Sequence, residues 1–305
     1  MTGSLPSVGV VIPTHDRPVL VREAVESVLA QDYPGHLEIV VVHDRATPDT
    51  SLAQTGERAV RVVINERTAG LCGARNTGIQ AVETDLVAFC DDDDVWRPGK
   101  LHRQVLHLLK FPHAEMATTA MTVLHEGRET VRVAGRDRIR HEALVKSRMA
   151  MLHSSSFLLR RAALLGGLGM LDEEIPGGQN EDWELLLRAS RRHDVAHLDE
   201  PLVCVRWGRS SYFSRQWQGR IDSLTWLLAR YPEVADHPVG GPRVSGQVAF
   251  GLASLGHRRE ALATSWATWR RRPREWRAPV AMVVATGLIS GETVLQALHR
   301  FGRGV

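Results

Sequence analysis

Four consecutive aspartates, Asp91 to Asp94, follow the apolar residues 86–90 and precede Trp96. Adjacent carboxylates repel one another, so such a cluster is favoured where a cation neutralises it. Hard oxygen donors select Mg²⁺ or Mn²⁺ over metals that prefer softer ligands. The pattern therefore predicts a divalent-cation site. Because Mg²⁺ is usually shared with substrate phosphates, it also predicts a diphosphate ligand.

An alternative for the same aspartates is a solvated loop that caps a helix beginning near Pro98, with Asp94 helping to start that helix. Their position at the end of a predicted strand favours the cation. The chain has no GxxxxGK[ST] phosphate loop, and residues 69–78 lack the GxGxxG spacing. The diphosphate is therefore not expected to belong to ATP hydrolysis or to dinucleotide binding.

A second carboxylate cluster lies between Asp172 and Glu184. When an acceptor hydroxyl displaces a leaving group, its proton needs a base, and a positioned carboxylate can accept it. The alternative is that Glu181 and Asp182 are first-turn residues of a helix, where the helix dipole favours acids. With the four aspartates upstream, catalysis by Asp182 is the favoured interpretation.

Short β-branched segments alternate with helical spacing in the first hundred residues, which predicts a parallel sheet buried on both faces. Ligands bind at the carboxyl ends of the strands in such sheets, so the polar residues after each strand should converge on one rim. The predicted strands are residues 8–13, 37–44, 61–66 and 86–92, and the intervening helices lie in residues 17–31 and 70–83.

The remaining chain is expected to complete this domain and to add a helical region. Residues 115–125 and 129–135 could pair as strands, and residues 181–192 have the spacing of an amphipathic helix. Beyond about residue 214, prolines interrupt a purely helical pattern. The predicted organisation is an α/β domain over residues 1–213 and a helical C-terminal region over residues 214–305.

The composition is that of a globular protein, with 43% hydrophobic and 24% charged residues. Three cysteines without metal-type spacing argue against a disulfide framework, and the N-terminus lacks a secretory pattern. The longest apolar segment, residues 278–290, is shorter than the roughly 20 residues of a membrane-spanning helix. The expected location is the cytoplasm.

Residues 8–51 and 70–101 resemble a family 2 glycosyltransferase with the GT-A fold, an inverting enzyme. The resemblance rests on VIPTHDR at 11–17, ARNTG at 74–78 and DDDDVWRPGKL at 91–101. Each motif is weak alone, but the three together are specific. The resemblance implies a Rossmann-like mixed sheet flanked by helices, a nucleotide-diphospho-sugar donor with a UDP-sugar expected, and Mg²⁺ or Mn²⁺ as cofactor.

The same resemblance implies roles for individual residues. Asp44 would face the base of the nucleotide, and Arg75 would lie near the base or the diphosphate. Asp91 would contact the ribose, Asp93 would bind the metal, and Asp182 matches the general base. An alternative for Arg75, a helix-start residue paired with a nearby acid, stays open. The implied nucleotide-binding set is Pro13, Thr14, Asp16, Asp44, Arg75, Asp91 and Asp92.

Two positions depart from the family pattern. His43 precedes Asp44 where members usually have a second aspartate, so one nucleotide contact is expected to differ. Arg206-Trp207-Gly208 replaces an Arg-x-His segment whose histidine is a further metal ligand in many members. His153 is placed near the acceptor or the sugar, but a lone histidine is more often structural, and no metal role is assigned to it.

The C-terminal region is strongly basic. This composition suits a helix at anionic lipid head groups, which predicts peripheral contact with the inner face of a membrane. A helical hairpin with solvated arginines is the open alternative. Nucleic acid is not expected as a partner, because no recognition motif is present. The residues concerned are Trp266, Trp269, Arg270, Arg271, Arg272, Arg274, Trp276 and Arg277.

These observations favour an inverting, metal-assisted glycosyltransferase in which Asp182 deprotonates an acceptor hydroxyl. The alternative is a catalytically weak or inactive nucleotide-sugar-binding module with a partner-docking or membrane-docking tail, which the missing downstream histidine motivates. A nucleotidyltransferase is disfavoured because residues 11–18 supply no glycine-rich, basic phosphate loop. The sequence specifies neither the sugar nor the acceptor.

Overall fold

The structure, a computed structural model, describes residues 4–207 and 217–300. The chain divides into two compact units. Unit 1 comprises Met1–His141, Met149–Glu173 and Glu181–Arg209, and unit 2 comprises Glu142–Arg148, Glu174–Asn180 and Ser210–Val305. The predicted domain boundary at residues 213 and 214 lies outside the described residues, so it stays a prediction.

The strands of unit 1 form one mixed sheet. Its order is β3-β2-β1-β4-β9-β6-β10-β5, with β7 added on β6 and β8 on β10. Strands β1 to β4 are parallel, as are β6 and β10, while the other pairs are antiparallel. The described strands are β1 Val8–Thr14, β2 Leu37–His43, β3 Val60–Ile64, β4 Leu86–Phe89, β5 Val95–Trp96, β6 Met116–His125, β7 Arg128–Arg132, β8 Arg138–Ile139, β9 Leu158–Arg160 and β10 Val195–Arg206.

Helices α1, α2, α3, α5 and α6 belong to unit 1, where they flank the sheet, and the C-terminal part of the chain is helical, as predicted. In chain order they are α1 Pro18–Leu29, α2 Leu71–Ala81, α3 Lys100–Leu109, α4 His141–Lys146, α5 Arg161–Leu165, α6 Glu181–Arg192, α7 Trp217–Arg230, α8 Pro232–Asp236, α9 Gly240–Ser254, α10 Arg258–Arg271, α11 Arg277–Ala285 and α12 Gly291–Arg300. Short 3₁₀ turns lie at Thr50–Leu52, Ser154–Ser156 and Pro176–Gly178.

The core of unit 1 explains the apolar pattern of its first strands. Every residue of β1 is buried, because helices α1 and α2 and the neighbouring strands surround it. Pro18 occupies the first turn of α1, where its missing N–H costs nothing. Gly78 lets α2 approach β1 closely, since a Cβ there would lie 2.2 Å from Val11 Cγ1. The predicted helical and strand alternation is therefore confirmed.

Helix α3 begins differently from the expectation. Its N-cap is Gly99 in the left-handed region, with φ +73°, and no side chain caps it. The expectation that Asp94 helps to start this helix is wrong. Asp94 is buried, and Ser155 Oγ donates a hydrogen bond to it instead.

Unit 2 has its own small core, formed largely by alanines of α9, α10 and α11. Small residues allow these helices to pack closely. Gly241 likewise lets α9 approach α8, because a Cβ there would lie 2.1 Å from the carbonyl oxygen of Ala235. The described helices include none with the length and apolarity needed to cross a bilayer. The core residues are Ala249, Phe250, Ala253, Ala261, Ala281, Val284 and Ala285.

Candidate functional site

The carboxyl ends of β1, β2 and β4 bring the predicted polar residues to one rim of the sheet. Thr14 ends β1, and its carbonyl oxygen accepts a 2.9 Å hydrogen bond from the amide of Asp44, which follows β2. Thr14 Oγ1 donates to Asp92 Oδ2 at 2.8 Å, beyond the end of β4. Pro13 is buried beside Val42 of β2. Thr14 therefore joins the two carboxylate-bearing strand ends.

Asp44 is buried and held as a carboxylate. Asn65 Nδ2 donates to it at 2.7 Å, the amide of Gly70 donates to both carboxylate oxygens at 3.1 and 3.0 Å, and Arg45 Nε lies 3.0 Å away. Burial alone would raise the pKa of Asp44, but these donors outweigh it and lower the pKa. The carboxylate is thus fixed in its charged form at the rim.

Asp91 is joined to the start of α6 by Arg75. Arg75 is 1% exposed, and its Nη2 lies 2.5 Å from Asp91 Oδ1 while its Nη1 lies 2.7 Å from Glu181 Oε1. Ser154 Oγ also donates to Asp91, at 2.9 Å. Burial opposes ionisation of Asp91, yet Arg75 holds its pKa below the usual range. Arg75 therefore forms the ion pair with a nearby acid that was the alternative for this residue. A contact between Arg75 and the nucleotide stays a prediction.

Asp92 and Asp93 share one cation, Arg17. Arg17 Nη1 lies 3.0 Å from Asp92 Oδ1 and 2.9 Å from Asp93 Oδ2. Burial raises the pKa of Asp92 to about 6, against the hydrogen bond from Thr14 and the charge of Arg17. Burial and the neighbouring Asp91 also raise the pKa of Asp93. This part of the site therefore carries negative charge that is only partly compensated.

Asp94 forms the inner end of the cluster. Ser155 Oγ donates to its Oδ2 at 2.5 Å, the amide of Arg206 donates to its Oδ1 at 3.3 Å, and His153 Nδ1 lies 3.3 Å from its Oδ2. Burial raises the pKa of Asp94 to about 7, although His153 acts in the opposite direction. Asp91, Asp94 and His153 each offer a ligand atom, and these atoms lie within 4.8 Å of one another.

The predicted base, Asp182, lies in the first turn of α6 and is 6% exposed. Its Oδ1 accepts a 2.7 Å hydrogen bond from the amide of Trp183. Burial and the adjacent Asp182 raise the pKa of Glu181. Since Arg75 binds Glu181 and Asp91 together, the residue that precedes Asp182 belongs to one network with the strand-end carboxylates. The role of Asp182 as base stays a prediction.

Asp16 is the outlying member of the predicted set. Its side chain is 74% exposed, its φ is +50°, and its carboxylate lies 3.9 Å from His15 Nε2.

Arg206-Trp207-Gly208 stands where the resemblance implies a further metal-ligating histidine. Arg206 Nη2 pairs with Glu23 at 2.5 Å, and Gly208 lies outside the described residues.

Several residues of the site carried no role in the sequence analysis. Arg17, Ser154 and Ser155 bind the aspartates directly. Arg17 belongs to the VIPTHDR motif, and the serines follow His153 in a polar stretch between apolar ones. Those signals mark the residues as candidates, but only the fold shows which acid each of them binds.

Comparison with known proteins decides the family. A model described as glycosyl transferase family 2 matches residues 9–166, just over half of the chain. The chain belongs to glycosyl transferase family 2. This membership confirms the resemblance read from the three sequence motifs.

Curated relatives of this family 2 chain include bacterial glycosyltransferases. TuaG of Bacillus subtilis, named a putative teichuronic acid biosynthesis glycosyltransferase, is 32% identical over 114 residues, which is 36% of this chain and 45% of TuaG. WfgD of Escherichia coli, named a UDP-Glc:alpha-D-GlcNAc-diphosphoundecaprenol beta-1,3-glucosyltransferase, is 29% identical over 105 residues, 34% of this chain and 41% of WfgD. The matches thus span less than half the length of these relatives.

Solved structures share the fold of this family 2 chain across nearly its whole length. Staphylococcus aureus TarS 1-349 in complex with UDP-GlcNAc has a TM-score of 0.64 at 16% identity, over 97% of this chain and 92% of TarS. A Pyrobaculum calidifontis mannosyltransferase in complex with GDP-Man and Mn²⁺ has a TM-score of 0.55 at 18% identity, over 97% and 88%. The predicted fold, an α/β mixed sheet of GT-A type with C-terminal helices, is confirmed.

Proposed function

We propose that this chain transfers a glycosyl group from a nucleotide-diphospho-sugar to an acceptor hydroxyl, with inversion and with help from a divalent cation. The observation that carries the proposal is the buried Arg75, which binds Asp91 at the strand end and Glu181 beside Asp182. It supports one site in which donor-binding carboxylates and a base act on the same substrate.

The donor would lie along the sheet rim, with a UDP-sugar as the expected substrate. Support comes from the rim position of Asp44 and Thr14, and from the shared fold with a protein bound to UDP-GlcNAc. The carboxylate of Asp44 is held in its charged form and could accept a hydrogen bond from the base of the nucleotide. The other proposed nucleotide contacts are Pro13, Asp16, Arg75, Asp91 and Asp92.

The aspartate cluster fits Mg²⁺ or Mn²⁺ by the chemistry of its donors. Two carboxylates and an imidazole, from Asp91, Asp94 and His153, lie within reach of one ion. The carboxylate oxygens suit Mg²⁺ and Mn²⁺, and His153 adds a nitrogen donor to the set. Asp93, the ligand predicted from the sequence, would join them by exchanging Arg17 for the cation, because Arg17 Nη1 now lies 2.9 Å from it. When bound, the cation would stabilise the negative charge that develops on the leaving diphosphate.

Asp182 would accept the proton of the acceptor hydroxyl as the new glycosidic bond forms at the anomeric carbon. The amide of Trp183 donates a hydrogen bond to Oδ1 of Asp182 and so helps to orient the carboxylate that would act as base. Arg75 would hold Glu181 ionised and in place, so that the first turn of α6 keeps its orientation. Arg75 is thus proposed as a positioning residue.

The alternative of a non-catalytic binding module has less support. It was motivated by the missing histidine downstream, yet His153 offers an imidazole in the same cluster. The relatives TuaG and WfgD also bear glycosyltransferase names. Transfer is therefore the favoured function.

Donor hydrolysis, in which water replaces the acceptor, tests the proposal without knowledge of the acceptor. The full chain with Mn²⁺ should release nucleoside diphosphate from one member of a panel of UDP- and GDP-sugars. Asp182→Asn should lower that rate by roughly 10²- to 10⁴-fold while donor affinity is unchanged. Asp137→Asn, at a side chain that is 70% exposed, is the matched control. Donor binding without turnover by the wild type would support the binding module instead.

A further inference from the structure

Helix α10 of unit 2, Arg258–Arg271, has one face packed and one face exposed. Ala261, Ser265 and Thr268 are buried and form the packed face. The helix contacts α9 and α11 within the unit. The packing of α10 within unit 2 therefore uses small side chains and leaves the large ones outside.

The exposed face carries a row of large apolar side chains. Leu262, Trp266 and Trp269 are 44%, 54% and 39% exposed, and they follow one another at spacings of four and three residues. That spacing places them on one side of a helix. The two indole rings stack, with centroids 5.3 Å apart and planes 22° from parallel. Two stacked tryptophans facing solvent are costly unless a partner covers them.

Arginines bracket this apolar row. Arg259 and Arg270 are exposed and lie on the same side of the helix as Trp266, within about 40° at 100° per residue. We call Arg259, Leu262, Trp266, Trp269 and Arg270 the α10 stripe. Residues 258–277 contain seven arginines and two glutamates, and one of these, Glu275, is buried and paired with Arg277. The surroundings of the stripe are therefore positive.

We propose that the α10 stripe docks on an anionic lipid bilayer surface. Tryptophan is the side chain that favours the head-group level, since its ring is apolar and its N–H is polar. Arginines at both ends would reach the phosphates while their stems cover apolar surface. The proposal concerns a surface of unit 2 and does not depend on the transfer reaction.

A second copy of the chain fits the stripe less well. Three half-exposed apolar side chains offer on the order of 300 Å², whereas a stable interface needs about 800 Å² from each partner. Two such stripes would also bring like charges together. A bilayer needs no matching area and supplies the opposite charge.

The structure bears on both expectations for the basic C-terminal region, a helix at lipid head groups and a helical hairpin with solvated arginines. The hairpin of α10 and α11 is present, and Arg277 packs over Trp276 with 4.6 Å from its guanidinium carbon to the ring centroid. Small side chains of α11, among them Ala278 and Ala281, are buried. The membrane-facing element we infer is therefore α10, and not the apolar segment that follows it.

Co-sedimentation of the full chain with vesicles tests this. Vesicles of phosphatidylcholine with 30% phosphatidylglycerol should bind the protein, whereas vesicles of pure phosphatidylcholine should bind it much more weakly. Arg259→Gln with Arg270→Gln should weaken binding roughly 30-fold, at about 1 kcal/mol per arginine. Trp266→Ala with Trp269→Ala should weaken it at least about tenfold. Raised salt should weaken wild-type binding.

The matched control is Leu106→Ala with Arg61→Gln, two exposed side chains of unit 1. It should bind the vesicles as the wild type does, and circular dichroism should show that all variants fold. Unchanged binding by the tryptophan variant would overturn the proposal. So would wild-type dimerisation, measured by sedimentation without lipid, that the tryptophan variant loses while neither protein binds vesicles.

Discussion

Arg75 Nη1 lies 2.7 Å from Glu181 Oε1, although 106 residues separate the two in the chain. The same guanidinium binds Asp91. Helix α2, the end of β4 and the start of α6 are thus tied at one point beneath the site. Because Arg75 is fully buried, the two carboxylates depend on it for compensation of their charge.

Removal of this charge should destabilise the protein strongly. Arg75→Met would leave the buried Glu181 and the partly exposed Asp91 without their cation, and we expect a loss of about 3–5 kcal/mol in the free energy of unfolding. Urea denaturation followed by circular dichroism measures it. Adding Glu181→Gln to Arg75→Met should recover part of the loss, since one unpaired charge is then gone.

The control for Arg75 is an exposed ion pair. Arg103 pairs with Glu200, and both side chains are more than 40% exposed. Arg103→Met should therefore cost less than about 1 kcal/mol. A cost for Arg75→Met as small as this would show that the buried pair contributes little.

Asp44→Asn should weaken binding of uridine diphosphate and destabilise unit 1. An amide whose oxygen takes the place of Oδ1 can still accept from Asn65 and Gly70, but its NH₂ group then stands where Oδ2 accepts from Gly70 and Arg45, and the negative charge is lost. We expect a loss of about 1–3 kcal/mol in stability. Titration calorimetry with uridine diphosphate should show at least tenfold weaker binding. Asp49→Asn, at a half-buried side chain six residues after the end of the same strand, should bind as the wild type does.

The strands and the rim were predictable because their signals are local. β-Branched segments of four to eight residues and the polar residues after them need no knowledge of the rest of the chain. Residues 8–13 and 37–44 accordingly match β1 and β2 within one residue. The pairing of each aspartate was not predictable in this way. It depends on β9 lying against β4, which brings the turn Ser154–Ser156 to the end of β4.

His153 shows the same limit at the level of one side chain. A lone histidine in a polar stretch has no pattern that assigns it to a metal. Its position 3.3 Å from Asp94 arises from the fold, because the two residues are 59 positions apart in the sequence. The amide of Ser155 donates a hydrogen bond to the same nitrogen, His153 Nδ1, at 3.3 Å.

His153→Gln should weaken Mn²⁺ binding. If His153 is a ligand, pulsed electron paramagnetic resonance of Mn²⁺ bound with uridine diphosphate should show coupling to an imidazole nitrogen, and the variant should lose it. We expect at least about tenfold lower Mn²⁺ affinity. The control His113→Gln, at an exposed histidine, should keep the coupling. The opposite result is that the wild type binds Mn²⁺ without coupling to a nitrogen and that Asp93→Asn loses Mn²⁺ binding. That result would assign the ion to Asp93 and exclude His153 as a ligand.

Lys100 should make the stability of the protein depend on pH. Its side chain is fully buried, Nζ lies 3.5 Å from the centroid of the Trp96 ring, and this atom has no hydrogen-bond partner among the described residues. Burial lowers the pKa of Lys100 to about 7, from 10.5. Between pH 7 and 10.5, Lys100 is protonated in the unfolded chain but neutral in the folded protein. The free energy of unfolding therefore rises with pH in this range.

The effect is best measured between pH 7 and 8.5 as the difference between the wild type and Lys100→Met, because the thiols of the unfolded chain, with an ordinary pKa of about 8.5, titrate in both proteins alike. The wild type should gain roughly 1.5 kcal/mol relative to Lys100→Met across this window. Lys100→Met should be more stable than the wild type at pH 7 and should lack the gain, because no charge is buried. Lys110→Met, at an exposed lysine, should follow the wild type. Parallel stability curves for the wild type and Lys100→Met would mean that the folded protein keeps the Lys100 proton throughout, held by the Trp96 ring face.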